Sequence, residues 1–271
     1  MRILFFGDIF GRTAREALAS AVPDLKARLR LDLVVANAEN ASGGSGLTAQ
    51  NARELRGAGI SVLTMGNHVW KQREILSFID ADPFLLRPLN YPEGTPGRGS
   101  CLVTLPDGQR ILVAQAIGRV TMDPLVDDPF AAMNRLLGAH RLGQTVQAIL
   151  VDIHAEATSE KMCMGHFLDG RVTAVIGTHT HIPTADAQIL PGGTGFQTDA
   201  GMCGDYDSAI GVRKEIALHG FIRKIPGERY RPAEGPATLC GVLIETRTDG
   251  LCARIAPIRL GGRLAPAMPD W

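Results

Sequence analysis

Short runs of Ile, Val, Leu and Phe recur along the chain, and most stop at Gly or a polar residue before an amphipathic stretch begins. They lie at residues 2–7, 32–38, 61–65, 110–116, 148–153 and 173–176. A run that is apolar throughout has no side to offer water, so each predicts a strand covered on both faces. Helical spacing fills the intervals at about 13–30, 48–58, 71–80, 129–140 and 159–169. Thr48 and Ser159 are the expected N-caps, with Gly57 or Gly59 and Gly170 as stops. Buried strands alternating with amphipathic helices predict an α/β fold.

Beyond residue 181 the texture changes. Residues 194–198, 238–246 and 251–258 read as strands joined by Gly- and Pro-bearing turns, as in an antiparallel sheet. The expected architecture is two packed sheets with outer helices, the βαβ half facing the later β-rich half. With no repeat or linker, residues 1–271 read as one domain, ample for a large core. The segments 90–99 and 122–130 read as surface loops able to border a site.

Composition excludes several partners. Formal net charge is zero, so no broad basic field exists to grip a long nucleic acid, and 5% aromatic content supplies no row of base-stacking platforms. No run approaches the ~20 apolar residues of a membrane helix, and Asp8 breaks the first apolar run too early for a secretory signal. Five widely spaced cysteines without a CxxC pair read as free thiols in a reducing cytoplasm. A soluble cytoplasmic protein is expected; whether it forms a homo-oligomer is open.

The strand runs end in a recurring kind of residue. The first delivers Asp8, the second Glu39 and Asn40, the third Asn67 and His68, a later one His154, and the last "GTHTH" with His179 and His181. In an extended segment two histidines at i and i+2 project to one side, so that pair would aim at one spot. Each residue alone has a plain structural role open to it: helix cap, turn residue, hydrogen-bonded core histidine. Together they form a set of oxygen and nitrogen donors at strand ends, where open α/β sheets keep their ligands. Two carboxylates, two amides and three imidazoles exceed one tetrahedral zinc site. They suit two cations about 3.5–4 Å apart, with Glu39 as the bridging carboxylate.

In order, "GDIF", "AEN", "GNH", "HAEATSEK" and "GTHTH" resemble the calcineurin-like metallophosphoesterases, and within them the YmdB branch of 2',3'-cyclic-nucleotide phosphodiesterases. "NYPEGTPGRG", "ILPGGT" and "YDSAIGV" extend the resemblance over nearly the whole chain. It implies an αββα metallophosphoesterase sandwich. It also implies one metal on Asp8, Glu39, Asn40 and His181, and another on Glu39, Asn67, His154 and His179. His68 would donate a proton to the leaving oxygen as metal-activated hydroxide attacks phosphorus, turning a 2',3'-cyclic nucleotide into a 3'-nucleotide. The broad superfamily opens with D-x-H; here Phe10 follows Asp8 and Ile9, so Asn40 replaces the missing imidazole. The branch is described as di-iron, although these donors suit Mn and Zn as well.

Alternatives stay open at this level. His68 can be a supporting group instead of an acid. Gly43, Gly44 and Gly46 can cradle a phosphate or only form a tight connection. Asp152 and Glu156 can orient ligands or cap a helix, and Arg98 and Arg119 can meet phosphate or only solvent. A broader phosphodiesterase or phosphomonoesterase, or a non-catalytic nucleotide-binding regulator, would use the same donors. An amidohydrolase is disfavoured because its HxH pair follows an early strand.

Overall fold

The structure is a computed structural model that describes residues 1–225 and 227–271. One sheet contains β1 (Arg2–Phe6), β2 (Asp8–Ile9), β3 (Leu33–Asn37), β4 (Val62–Thr64), β5 (Leu85–Leu86), β12 (Met202–Asp205), β13 (Ala237–Thr246) and β14 (Cys252–Leu260). The other contains β6 (Ser100–Thr104), β7 (Arg110–Ile117), β8 (Ala148–His154), β9 (Ala174–Thr178), β10 (Gln188–Ile189) and β11 (Gly195–Gln197). Their orders are β2-β12-β13-β1-β3-β4-β5, with β14 on β13, and β10-β11-β9-β8-β7-β6. Strands β1, β3, β4 and β5 run parallel, as do β7, β8, β9 and β11.

Period-two alternation sorts each strand's side chains into layers. Ile3 and Phe5 of β1 enter the layer between the sheets, where they share a core with Ala148 and Leu150 of β8. Leu4 and Phe6 turn the other way, onto Leu18, Val22 and Leu25 of α1 (Gly11–Leu29) and Leu55 of α2 (Ala49–Gly57). Ile149, Val151 and Ile153 of β8 meet Met133 of α3 (Pro129–Ala139) and Met164 of α4 (Thr158–Leu168). The result is the expected αββα sandwich. Each fully buried Leu, Ile, Val or Phe stabilises it by roughly 1.5–3 kcal/mol. A fifth helix, α5 (Lys214–Arg223), buries only Ile216 and Ala217.

Several expectations are corrected. The sheets do not divide the chain into an earlier and a later half: β13 inserts beside β1, pairing Arg2 with Glu245, and the middle of the chain builds the second sheet. The 194–198 run pairs parallel with β9 and antiparallel with β10, so it joins a mixed sheet; the β13–β14 hairpin is antiparallel as expected. Residues 71–80 form only a short 3-10 turn at Arg73–Ser77, since ten residues with little more than Ile75 and Ile79 to bury cannot sustain a helix alone. Thr48 does cap α2, accepting from the Asn51 amide, whereas Ser159 lies inside α4, whose cap position is Ala157. The five cysteines are free thiols, Cys163 exposed and the others buried.

Candidate metal centre

Both sheets present the C-terminal ends of their parallel strands on the same side. β1, β3 and β4 deliver Asp8, Glu39, Asn40, Asn67 and His68; β8 and β9 deliver His154, His179 and His181. The donors therefore come from two sheet edges rather than the one expected. Gly66 permits the convergence: a Cβ there would lie 2.3 Å from Glu39 Oε2 and 2.4 Å from His154 Nε2.

His154 is fully buried. Its Nδ1 lies 2.8 Å from Thr178 Oγ1, and that hydroxyl donates to Asp152 Oδ1 at 2.7 Å. The hydroxyl proton is thus committed, so Thr178 accepts from His154 Nδ1–H, and the Nε2 lone pair points into the site. Around Nε2 stand Asn67 Oδ1 at 3.0 Å, His179 Nδ1 at 3.2 Å and Glu39 Oε1 at 3.3 Å. His179 Nε2 lies 3.2 Å from the Glu156 carboxylate, which can only accept, so its Nδ1 also carries a lone pair. Glu39, His154 and His179 offer three donor atoms all within 4.8 Å of one another. Lone pairs facing one another in a buried site repel unless a cation stands among them.

On the other flank, His181 Nδ1 gives its proton to the Ile210 carbonyl at 2.7 Å, which leaves Nε2 facing Asp8 Oδ1 at 3.9 Å. Asp8 Oδ2 accepts from the His179 amide at 3.1 Å, but Oδ1 is buried with no hydrogen-bond partner. Asn40 turns its amide nitrogen toward Glu39 Oε1 (3.1 Å) and His181 Nε2 (3.2 Å), and its oxygen toward His68 Nδ1 at 2.6 Å. His68 also donates its backbone amide to Glu39 Oε2 at 2.9 Å.

Burial raises the Asp8 pKa to about 6, against the opposing pull of His181 and His154. For His154 burial works downward, yet Glu39, Asp8 and Asp152 overcome it and raise the pKa to about 9. Glu39 is held well below the carboxylate range because His154 and His68 outweigh its own burial. Burial and the neighbouring His154 charge depress His179 to about 3. Among the described residues no Lys or Arg pairs with Asp8 or Glu39. The orphaned Asp8 oxygen, the opposed lone pairs and the absence of thiolate all fit hard or borderline metal ions.

The HxH pair is not extended. His179 and His181 have φ of 96° and 66°, so a left-handed loop, not strand alternation, turns the two rings to separate flanks. The loop is held from below: fully buried Lys161 gives its ammonium to Asp199 at 2.8 Å, and Asp199 accepts from the Thr180 amide and hydroxyl. Glu160 accepts from the amides of Arg119 and Val120, tying down another loop. One motif, "HAEATSEK", thus contributes His154, Glu156, Glu160 and Lys161. Sequence reasoning missed Asn37, Thr64, Gln115 and Thr178, which converge on Asp152 or His154 between the sheets. Gly43, Gly44 and Gly46 all have positive φ, as a tight connection behind Glu39 requires. Of the expected border loops, 122–130 reaches Asn67 and His68 through Asp123 and Pro124. Arg98 lies in a separate cleft beside Phe84 and His140.

An αββα sandwich with carboxylates, amides and imidazoles gathered at the adjoining edges of its two sheets is the arrangement of the metallophosphoesterases. Within that class the chain belongs to the YmdB-like protein family, which it matches over residues 4–258. It is 44% identical over 245 residues to the 2',3'-cyclic-nucleotide 2'-phosphodiesterase of Bacillus subtilis strain 168, covering 90% of this chain and 91% of that one. Two crystal structures are close in shape. A hypothetical protein from Thermus thermophilus superposes with a TM-score of 0.90 at 42% identity, over 97% of this chain and 100% of that one. A Mycoplasma pneumoniae protein described as a novel phosphatase gives 0.89 at 32% identity, over 96% and 93%. No helix among the described residues is long and apolar enough to cross a membrane.

Proposed function

We propose that the chain is a two-metal phosphodiesterase that hydrolyses 2',3'-cyclic nucleotides to 3'-nucleotides. The observation that carries this reading is the set of lone pairs, drawn from both sheets, that face one another around His154 Nε2 beside an unpaired Asp8 oxygen. Kinship with the Bacillus enzyme supports the substrate class. Asp8, Glu39, Asn40 and His181 hold one cation, and Glu39, Asn67, His154 and His179 the other. Iron is the first metal to test, then manganese and zinc. Bound cations supply Lewis acidity toward the phosphoryl group and an activated water nucleophile.

The chain's own groups do the remaining work. Glu39 and Asp8 set the negative charge that retains the cations, while Glu156 and the Ile210 carbonyl fix the tautomers of His179 and His181. His68 gives a proton to the departing 2' oxygen, because an alkoxide is a poor leaving group near neutral pH. Burial lowers its pKa, with Glu39 pulling the other way, so an imidazolium here releases its proton readily. Asn40 Oδ1, 2.6 Å from His68 Nδ1, can only accept, so it holds the Nδ1 proton and leaves the Nε2 proton of an imidazolium as the one to give. Residues 1–271 act as one cytoplasmic domain on a small diffusible substrate. Metal analysis of protein purified without chelators, beside assays on 2',3'-cAMP, 3',5'-cAMP and p-nitrophenyl phosphate, tests the proposal. Two ions per chain and preference for 2',3'-cAMP are expected; fewer than one ion, or preference for the monoester, overturns it.

A further inference from the structure

The cavity above the donor cluster encloses about 650 Å³, within the roughly 300–1,000 Å³ of pockets that take a small molecule. Glu39, His68, His179 and His181 account for one part of its wall. Asn40, Glu156 and the Ile210 carbonyl also belong to that part, whereas the side chains of Lys71, Ile210, Val212, Tyr230 and Arg231 have no role in the chemistry above. Tyr230, Ile210 and Val212 line the cavity together, and Tyr230 is 67% exposed. The other aromatic side chain of the wall, Phe10, is buried and meets His181 edge-on at 5.4 Å.

Chain neighbours relate the rest of the wall to the donor cluster. Two residues after Tyr230, Pro232 packs beside Phe10: a Cβ placed on Gly44 would lie 3.1 Å from Pro232 Cγ and 3.2 Å from Phe10 Cε1. The segment that carries Tyr230 thus adjoins Phe10, which contacts His181. Lys71 follows His68 by one turn, its amide donating to the His68 carbonyl at 3.0 Å, and so belongs to the His68 flank. Arg231 lines the wall beside Tyr230. Neither Lys71 nor Arg231 enters an ion pair among the described residues. A nucleoside cyclic phosphate has the same polarity, an anionic ring at one end and a flat π-face at the other.

We propose that Tyr230, flanked by Ile210 and Val212, is the platform on which the substrate's nucleobase stacks, with the cyclic phosphate lying toward His68 and Lys71. This rests on the phosphodiesterase reading. Stacking reads a π-face and not a hydrogen-bond pattern, so the platform accepts purines and pyrimidines alike. The test compares wild type, Tyr230→Ala and Tyr230→Phe, all metal-loaded. The substrates are adenosine 2',3'-cyclic phosphate and its base-free counterpart, 1-O-methylribose 2',3'-cyclic phosphate. Tyr230→Ala should lower the ratio of kcat/KM between the two by about tenfold, chiefly through KM, and Tyr230→Phe should restore it. Calorimetric binding of adenosine 3'-monophosphate against inorganic phosphate gives a readout independent of turnover, and its ratio should fall alike. Equal ratios in all three proteins overturn the platform. A wild type that hydrolyses neither substrate overturns the phosphodiesterase reading instead, while the binding ratio still decides the platform.

Discussion

His154 shows how far one side chain's surroundings dictate its chemistry. Thr178 and Asp152 leave it a single orientation and a single free lone pair, and three acceptors from the loops after other strands then crowd that lone pair. His68 differs in kind, since it touches Asn40 and Glu39 but is partly open to the cavity. His68→Ala should keep both metals and lose activity by about 100- to 10,000-fold, the usual contribution of a positioned acid. Metal analysis beside 2',3'-cAMP turnover checks it, and wild-type turnover would remove His68 from the mechanism. Gly66→Ala should do the reverse of an acid mutation: the new methyl meets Glu39 and His154, so metal affinity falls by roughly tenfold or more with far-UV dichroism unchanged. The donors themselves were legible because each ends an apolar run, where an unpaired charge is costly. Thr178 and Asn37 were not, because inside a strand they read as ordinary members of the run. Nor was the left-handed backbone of His179 and His181, which no L-residue adopts without local ties.

Those ties belong to elements. Helix α4 sends Lys161 inward to Asp199, and Asp199 clamps Thr180 between His179 and His181. Asp199 also accepts from the Gly201 amide at 2.8 Å, so removal of its cation leaves a buried charge that two loops share. Lys161→Met should cost about 3–5 kcal/mol, as breaking a buried pair from one side does. Urea unfolding measures it, with weaker metal retention expected in the same variant; a loss under about 1 kcal/mol would show that the loop holds its shape unaided. Long periodic elements were readable: α1, α2 and β8 lie close to their expected spans. Strands β2, β10 and β12 are two to four residues long and carry no period to read. Helix α5 escaped for another reason, since Leu218, Phe221 and Ile222 face outward and mask the amphipathic pattern.

At the scale of the molecule, the candidate metal centre lies across the seam between two sheets. Asp8, Glu39, Asn40 and Asn67 come from one and His154, His179 and His181 from the other, so cations bound there cross-link layers that otherwise meet through apolar contacts and the Asp152 network. The make-up of the two sheets was the least legible feature, because β13 joins β1 in one sheet over more than two hundred residues and no local pattern announces it. Chelation should therefore loosen the whole sandwich. A metal at 100 times its Kd adds about 2.7 kcal/mol, and its removal should lower Tm by roughly 5–10 °C. The metal-free protein should also acquire a pH dependence. Its His154 titrates at about 9 in the fold, above the 6.5 of an unperturbed histidine, so the protonated ring stabilises the fold fully below 6.5. That contribution drains away as pH rises through 9. Asp8, at about 6, is already about three-quarters ionised at pH 6.5 and adds only a small slope of the same sign at the low end. In the metal-loaded protein His154 is a neutral ligand across the same window, and the contribution vanishes. Thermal unfolding at steps from pH 6.5 to 9 should show Tm falling steeply for chelated protein and weakly for loaded protein. Parallel curves would mean that no cation stands where the proton does.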